Sequence, residues 1–490
     1  MERIENRHLI AANQMRLFIG RERERGEFRP FLKKKTASLI VCQGRRRIGK
    51  STFIRECAAE ASHFLSFEGL PPREHIGRRE QLEAFAESLA GQTKAPKITL
   101  DSWPQAFKLL ASLLPSSGST VLLLDEISWM ALGEPDFAGH FKTAWDNLFS
   151  QHPRLIVVLC GSVSSWIQKN ILNNTGFVGR CSWQFRLQPL PLSACNEFWK
   201  GKTVNAAEKL KVLCVTGGVP RYLEEIDPAQ TAEQNIERLC FRRGGPLFNE
   251  FEQIFHDIFT RKAETYREIV STLVEGPRSI SEISKVLQRG RGGTLTEAMD
   301  DLESAGFLSQ DVAFNPVTGK NRPRTLRHRI RDNYLRFYLK YIAPVAEQVR
   351  KGLHRRAPLE SFHAWDSIVG LQFENLVLDN LDLILDTLGL AHVPILNAGP
   401  YFQGQTARRP GCQIDLLLRT RQSLYVFEVK FRKKIDPSVM DEVDKKIESL
   451  EGVAGLSIRR GLIYQGELDP ELERSDYFDY LVPSEQLLTP

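Results

Sequence analysis

The sequence lacks the segments that direct proteins to, or anchor them in, a membrane. No run approaches the roughly 18 consecutive apolar residues that a membrane-spanning helix requires. The first seven residues are mostly polar or charged, and the apolar stretch of a secretory signal does not follow them. We therefore expect a cytoplasmic protein without a membrane-embedded part.

Cysteine is scarce, and its spacing lacks the usual metal-binding and redox motifs. None of the eight cysteines forms a Cys-x-x-Cys pair, and Cys42 and Cys160 lie inside apolar, strand-like runs. Small buried thiols in a reducing compartment explain this pattern better than disulfides or a zinc site.

A strong excess of either charge is also missing. The 66 Lys and Arg residues against 60 Asp and Glu give a net charge of +6, and 42% of residues are hydrophobic. This composition is ordinary for a globular protein, and the mild basic excess permits nucleic-acid binding without indicating it. At about 100–200 residues per domain, the 490-residue chain predicts three or four domains.

One segment meets every requirement of a phosphate-binding loop. An apolar run over 38–42 leads into a glycine-rich turn of the form G-x-x-x-x-G-K-S/T, and a helical pattern follows. Glycines allow successive backbone N–H groups to face phosphates at a helix N-terminus. In this role Lys50 reaches the β- and γ-phosphates, and the Ser51 hydroxyl ligates Mg²⁺. The predicted ATP-binding residues are Gly44, Arg45, Arg46, Arg47, Ile48, Gly49, Lys50, Ser51 and Thr52.

Two acids at the end of a second apolar run fit the same site. The segment 120–124 reads as a buried central strand, and Asp125 and Glu126 follow it directly. In parallel sheets the carboxyl ends of the strands meet at the ligand. We expect Asp125 to hold the Mg²⁺ shell and Glu126 to orient or deprotonate the attacking water.

Two further residues are candidates around the γ-phosphate. Ser162 follows the apolar strand 154–160, where it either senses the phosphate or caps the next turn. Arg180 precedes a strand-like segment at 182–187, and an arginine there can neutralise charge during phosphoryl transfer. The sequence does not decide whether Arg180 serves its own nucleotide or that of a neighbouring subunit.

The region 264–331 has the order of a winged helix. Three helical patterns precede a β-ribbon whose second strand carries Arg327, Arg329 and Arg331. Between 320 and 331 six residues are basic and none is acidic, so this wing is a candidate DNA contact. The alternative is a strand that serves packing within the molecule.

These segments together resemble the archaeal-type P-loop ATPases, relatives of the AAA+ and STAND classes. The resemblance is carried by residues 18–24, 44–51, 122–126, 161–162, 179–180 and 217–223. It implies an α/β core with a helical lid, and it places Gly218, Val219 and Pro220 near the base, so Pro220 joins the predicted ATP contacts. It also implies a winged helix and a further C-terminal domain, whose start the segment 332–338 resembles.

The C-terminal region carries a second candidate site. Two predicted strands at 412–418 and 423–430 are joined by a short turn at 420–422, and Glu428 and Lys430 share one face of the second strand. Asp415 on the first strand can meet them, which would give Asp415 and Glu428 as oxygen ligands for a metal beside a lysine. With the helical Glu374, this order resembles the PD-(D/E)xK nucleases, although Ile414 replaces the proline of that motif. Alternating acids and lysine on an exposed strand, or a nuclease fold kept for binding alone, are the alternatives.

The predicted fold class is α/β, with a P-loop NTPase parallel sheet and helical lid, a winged-helix domain and a C-terminal α/β nuclease-like domain. The predicted boundaries are 1–190, 191–255, 256–345 and 346–490. The first interpretation is an Mg²⁺-dependent ATPase that controls a DNA-directed, nuclease-like half, with Lys50, Glu126, Ser162, Arg180, Glu374, Asp415, Glu428 and Lys430 as catalytic residues. The alternatives are a nucleotide-gated DNA-binding regulator and a scaffold that assembles with protein partners, a homo-oligomer included, when ATP is bound.

Overall fold

A computed structural model describes residues 18–161, 164–259, 263–290, 292–405 and 410–489. Its N-terminal part is a parallel sheet in the order β2-β3-β4-β1-β5. The strands are β1 (Ser38–Gly44), β2 (His63–Glu68), β3 (Thr120–Asp125), β4 (Leu155–Gly161) and β5 (Cys181–Leu187). The helices of this part are α1 (Glu22–Lys33), α2 (Lys50–Ala58), α3 (Arg78–Thr93), α4 (Trp103–Leu113), α5 (Ile127–Met130), α6 (Phe137–Asn147) and α7 (Ser164–Ile167).

Helices cover both faces of this sheet because its strands are apolar on both sides. In β1, Leu39 and Val41 face the core that α3, α4 and α6 complete, whereas Ile40 and Cys42 face the core under α1 and α2. Successive strand residues point to opposite faces, so a continuous apolar run buries both. The sequence prediction of a parallel α/β sheet is confirmed.

A helical region and a short β-ribbon follow the sheet. The helices are α8 (Leu192–Cys195), α9 (Ala206–Thr216), α10 (Pro220–Leu223), α11 (Ala232–Cys240), α12 (Glu250–Phe259), α13 (Ala263–Ser271), α14 (Ile280–Val286) and α15 (Gly293–Ser304). Strands β6 (Leu308–Asp311) and β7 (Arg327–Ile330) then pair antiparallel, with Leu308 opposite Ile330. The predicted order of three helices and a ribbon is therefore present over 263–330.

The C-terminal part is a mixed sheet packed against helices. Its strands lie in the order β12-β11-β10-β9-β8, where β8, β9 and β10 are antiparallel and β10, β11 and β12 are parallel. The strands are β8 (Asn397–Gln403), β9 (Cys412–Arg419), β10 (Ser423–Ile435), β11 (Ser457–Leu468) and β12 (Tyr480–Pro483). The helices are α16 (Asn333–Phe337), α17 (Ala346–Lys351), α18 (Trp365–Asp379), α19 (Leu381–Thr387), α20 (Ser438–Glu448) and α21 (Pro470–Arg474).

One hydrophobic core contains residues of three of the four predicted domains, namely the lid, the winged-helix region and the C-terminal domain. It contains buried residues of the lid, of α13 to α15 and of the C-terminal sheet, from Leu190 to Leu488. The predicted boundary at 255/256 also falls inside α12. The N-terminal sheet has separate clusters on its two faces, and the domain boundaries stay predictions.

The structure also bears on the cysteines and on membrane-spanning helices. All eight cysteines are free thiols, and six of them are buried, as their apolar surroundings predict. In the described part of the chain, no helix has the length and apolar character needed to cross a membrane.

Candidate functional site

The loop between β1 and α2 has the geometry of a phosphate cradle. A side chain at Gly44 would bring its Cβ to 2.8 Å from the carbonyl oxygen of Leu187, so the backbone approaches β5 too closely for any other residue. Gly49 has φ = 87°, a left-handed conformation that glycine adopts without steric cost, and α2 begins at the next residue. The loop therefore turns the N-terminus of α2 toward the carboxyl edge of the sheet.

A cavity of about 320 Å³ opens beside this loop, within the size range of small-ligand sites. It lies between the loop, the segment before α1 and the short helix α10. Its lining includes the predicted residues Arg46, Arg47, Ile48, Gly49, Lys50, Ser51, Thr52, Glu126 and Pro220. The structure thus brings most of the predicted ATP contacts to one hollow, whereas Gly44 and Arg45 do not line it.

The loop and the end of β3 place the two expected magnesium-binding side chains together. The Ser51 hydroxyl donates a hydrogen bond to the Asp125 carboxylate, and the other oxygen of Asp125 accepts the backbone N–H of Glu126 at 3.0 Å. A hydroxyl and a carboxylate side by side are hard oxygen donors of the kind that Mg²⁺ prefers. These donors fit the ion, and Glu126, which also lines the cavity, stands next to them.

Lys50 lies folded onto the loop. Its ammonium donates to the carbonyl oxygens of Gly44, at 3.0 Å, and of Arg45, at 3.2 Å. The side chain is 6% exposed, so these contacts compensate part of the cost of burying the charge. To contact a phosphate in the cavity with more than one N–H, the ammonium must exchange at least one of these carbonyls for a phosphate oxygen.

The cavity also contains an arginine that the sequence analysis did not single out. Arg21 is 6% exposed and lines the hollow, and its Nη1 donates to Glu24 at 3.2 Å. Its Nη2 has no hydrogen-bond partner among the described residues, and burial lowers the pKa of the guanidinium. Buried donors are normally satisfied, so this N–H is suited to a polar ligand in the cavity. The sequence signal was the position of Arg21 directly before the helix α1, which precedes the first strand of the sheet.

The double glycine before Pro220 is required by close backbone packing. A Cβ at Gly218 would lie 2.2 Å from the carbonyl oxygen of Leu190, and the Gly218 oxygen accepts the Leu190 N–H at 2.7 Å. This contact fixes the start of α10, so that Pro220, Arg221 and Glu224 line the cavity. The segment is therefore more than a flexible turn between helices.

The two remaining γ-phosphate candidates are not brought to the cavity by described contacts. Ser162 lies outside the described residues. The guanidinium of Arg180 is held by the carboxylate of Asp146 on α6, with Nε–Oδ1 at 2.6 Å and Nη2–Oδ2 at 3.0 Å. Its charge, with that of Lys142, lowers the pKa of Asp146 to about 2. Arg180 does not line the cavity, so the structure gives it no contact with a nucleotide of its own chain.

The side chain of Arg45 points away from the cavity, so its predicted part in ATP binding falls to its backbone. Its guanidinium pairs with the Asp332 carboxylate and donates to the Tyr222 hydroxyl at 3.1 Å. Its neighbour Arg47, which also lines the cavity, pairs with Glu250 through Nε–Oε1 at 2.9 Å and Nη2–Oε2 at 3.2 Å. The phosphate loop is thus attached to α12 and to the start of α16.

The wing arginines form intramolecular contacts, and their role as DNA contacts stays a prediction. Arg329 is 5% exposed, and it pairs with Asp311 at 2.8 Å and bonds Asn375 on α18. Arg331 donates to Asp379 at 2.8 Å, and Arg327 lies over the ring of Phe402. Successive strand residues alternate in direction, but here the neighbouring parts of the chain cover both faces. The alternative of a strand used for internal packing fits this geometry.

The C-terminal candidate residues do converge. Glu428 and Asp415 are 3% and 8% exposed, and Asp415 accepts the backbone N–H of Val429 at 2.9 Å. Glu428 pairs with Lys430 at 2.8 Å, as their common strand face predicts, and with Lys446 of α20. Lys430 also pairs with Glu442 at 2.6 Å.

The charges of this cluster perturb one another. Burial raises the pKa of Asp415 well above its usual value, and the charges of Glu428 and Glu374 add to the effect. Burial raises the pKa of Glu374 to about 7, although Arg336 and Arg329 act in the opposite direction. The charges of Glu374, Asp415 and Glu428 therefore act on one another, and the catalytic role of Glu374 stays a prediction.

Metal binding by Asp415 and Glu428 stays a prediction. Both carboxylate oxygens of Glu428 are paired with lysines, and the described residues contain no group of three or more His, Cys, Asp or Glu arranged to hold a metal. Lys446 and Glu442 were missed in the sequence. Their spacing of four residues on one face of the helix after β10 was the available signal.

Comparison with other proteins gives distant resemblances. No family model matches the chain. A curated relative, the uncharacterized protein MJECL04 of Methanocaldococcus jannaschii, is 22% identical over 435 residues, which cover 86% of this chain and 89% of the relative. At this identity the relative assigns neither a family nor a function.

Solved structures of nucleotide-binding proteins are similar at low scores. The Walker-type ATPase paby2304 of Pyrococcus abyssi has a TM-score of 0.49 and 18% identity, covering 66% of this chain and 96% of its own. The ORC2 protein of Aeropyrum pernix has a TM-score of 0.43 and 13% identity, covering 69% and 96%. The functional assignment must therefore come from the site of this chain itself.

Proposed function

We propose that the protein binds ATP with Mg²⁺ and hydrolyses it. The observation that carries this proposal is the meeting of Lys50, the Ser51–Asp125 pair and Glu126 at one cavity beside the loop. Each of these side chains has a defined part in phosphoryl transfer, and they come from two different strand ends. The unpartnered Nη2 of Arg21 adds a donor for a polar ligand.

The chain's own residues divide the work of hydrolysis. Backbone N–H groups of the loop and the N-terminus of α2 bind the phosphates, and Lys50 neutralises the charge that develops on them. Bound Mg²⁺ supplies further charge neutralisation, held through Ser51 and Asp125. Glu126 accepts the proton of the attacking water or orients it, and most of the rate enhancement comes from positioning and electrostatics.

Replacing Glu126 with Gln tests the assignment of the water-activating residue. We expect the rate of ATP hydrolysis to fall at least about 100-fold, because the amide cannot accept a proton, while ATP still binds. Phosphate release measures the rate, and equilibrium binding of a fluorescent ATP analogue measures the affinity.

Glu68 provides a matched control for this experiment. It ends β2 directly opposite Asp125, is exposed and does not line the cavity. Glu68→Gln removes a nearby carboxylate whose charge acts on Asp125 and Glu126 but which does not line the cavity, and its rate should fall far less than that of Glu126→Gln. Equal rates for wild type and Glu126→Gln would exclude Glu126 from the reaction.

We further propose that the C-terminal domain is nuclease-like in its strand order but does not cut DNA. Lysines occupy both oxygens of Glu428, and burial favours the protonated form of Asp415, so two of the required anionic donors are neutralised. This favours a binding or switching module that responds to the nucleotide, one of the alternatives left open by the sequence.

A cleavage assay distinguishes the two readings of this domain. With Mg²⁺ or Mn²⁺ and plasmid or single-stranded DNA, wild type and Asp415→Asn should give the same background, with or without ATP. Asp441→Asn, an exposed carboxylate on α20, controls for contaminating nuclease. Metal-dependent cutting by wild type and Asp441→Asn but not by Asp415→Asn would establish an active nuclease instead.

A further inference from the structure

The segment 332–334, at the start of α16, contacts three distant parts of the chain at once. Asp332 pairs with Arg45 of the phosphate loop. Asn333 bonds α18, and the Tyr334 hydroxyl donates to the Leu247 carbonyl at 2.6 Å and accepts the Phe251 N–H at 3.0 Å. All three residues are at most 5% exposed. We call residues 332–334 the hub.

On the loop side, the hub is attached to the residue that Lys50 also contacts. The Arg45 carbonyl accepts from the Lys50 ammonium at 3.2 Å, and the Arg45 side chain pairs with Asp332. The coupling requires that the bond to this carbonyl be lost when Lys50 turns to a phosphate. The backbone at Arg45 is then released on one side while its buried side chain remains held by Asp332, so a shift of the loop is transmitted to the hub.

On the other side, the hub is attached to α18 by reciprocal hydrogen bonds. Asn333 Nδ2 donates to the Gln372 carbonyl at 3.1 Å, and Gln372 Nε2 donates to the Asn333 carbonyl at 2.8 Å. Asn375 Nδ2 donates to Asn333 Oδ1 at 2.8 Å. Gln372 and Asn375 are at most 1% exposed and flank Glu374 in sequence. Buried networks of this kind have few alternative arrangements, because every unpaired group is costly.

We propose that the hub couples the nucleotide site to α18, so that phosphate binding at the loop changes the position or stability of the helix that carries Glu374. The proposal rests on the nucleotide site proposed above and does not depend on any nuclease activity. Asp332 and Asn333 are positioning residues in this scheme, since neither lines the cavity. Coupling is reciprocal, so loosening α18 must also change the affinity for nucleotide.

Hydrogen–deuterium exchange with and without Mg-ADP tests the coupling. In wild type, nucleotide should slow exchange of the loop amides, and it should change the exchange rate of amides in 365–379 by about threefold or more. Asp332→Asn and Asn333→Ala should retain the effect at the loop and lose it at α18. Asn333→Ala removes only neutral hydrogen bonds and keeps the test valid if Asp332→Asn does not fold.

Asp301→Asn is the matched control. Asp301 lies on α15 and accepts the Tyr266 hydroxyl at 2.7 Å, so the change removes the charge of a partly buried acid without touching the hub; it should preserve both effects. Two results overturn the coupling. In the first, nucleotide slows exchange at the loop of the wild type but leaves exchange at α18 unchanged. In the second, both hub variants show the same change in exchange at α18 as the wild type. Absence of protection at the loop overturns the nucleotide site itself, and with it the coupling.

Discussion

Replacing Lys50 with Ala is expected to lower the affinity for ATP at least about 100-fold, because two charge-assisted hydrogen bonds to phosphate are worth roughly 1.5–3 kcal/mol each. The Lys50 side chain is buried in the loop. The described lining of the cavity contains no other lysine that could take its place. Isothermal titration calorimetry with Mg-ATP measures the affinity. Thermal unfolding without nucleotide checks that the variant is folded.

Two comparisons make the Lys50 result specific. Lys108→Ala removes an exposed lysine on α4 and should bind ATP as wild type does. The nucleotide should also raise the melting temperature of wild type and of Lys108→Ala but not that of Lys50→Ala, because only a ligand that binds the folded state stabilises it. Unchanged ATP affinity in Lys50→Ala would remove the basis for the whole nucleotide assignment.

The nucleotide site was predictable because its requirements are local. The glycines, Lys50 and Ser51 lie within eight residues, and the apolar run before Asp125 identifies a buried strand whose end must meet the loop. The hydrogen bond between Ser51 and Asp125 confirms that these two segments meet. Local sequence therefore sufficed to place the loop and its acidic partners.

The long-range partners of the arginines were not predictable in the same way. Arg45 and Arg47 lie in the phosphate loop, but Asp332 and Glu250, which bind them, belong to later parts of the chain. The basic segment 320–331 likewise indicates a strand and its charge, but it does not indicate which other element covers each face of that strand. Tertiary packing decided that Arg329 meets Asp311 and Asn375 rather than solvent. For the same reason the sequence did not predict the role of Lys446, whose partner Glu428 lies on another element.

Replacing Arg329 with Ala is expected to destabilise the protein by about 3–5 kcal/mol, because removing one partner of a buried ion pair leaves the other charge uncompensated. Asp311, 8% exposed, would lose its pairing at 2.8 Å, and the Asn375 side-chain oxygen would lose the hydrogen bond from the guanidinium. Urea denaturation followed by circular dichroism measures the loss. A DNA-contacting arginine would behave differently: its removal would leave stability unchanged and weaken DNA binding in a salt-dependent way.

Arg324 is the matched control for this last prediction, since it lies in the same basic segment but is exposed. Arg324→Ala should change stability by no more than about 0.5 kcal/mol. Combining Arg329→Met with Asp311→Met should recover at least half of the stability lost in Arg329→Ala, because an apolar pair of similar volume carries no buried charge. If Arg329→Ala is as stable as wild type and the double variant gains nothing, Arg329 is not a packing residue, and the strand must be reconsidered as a contact for a partner.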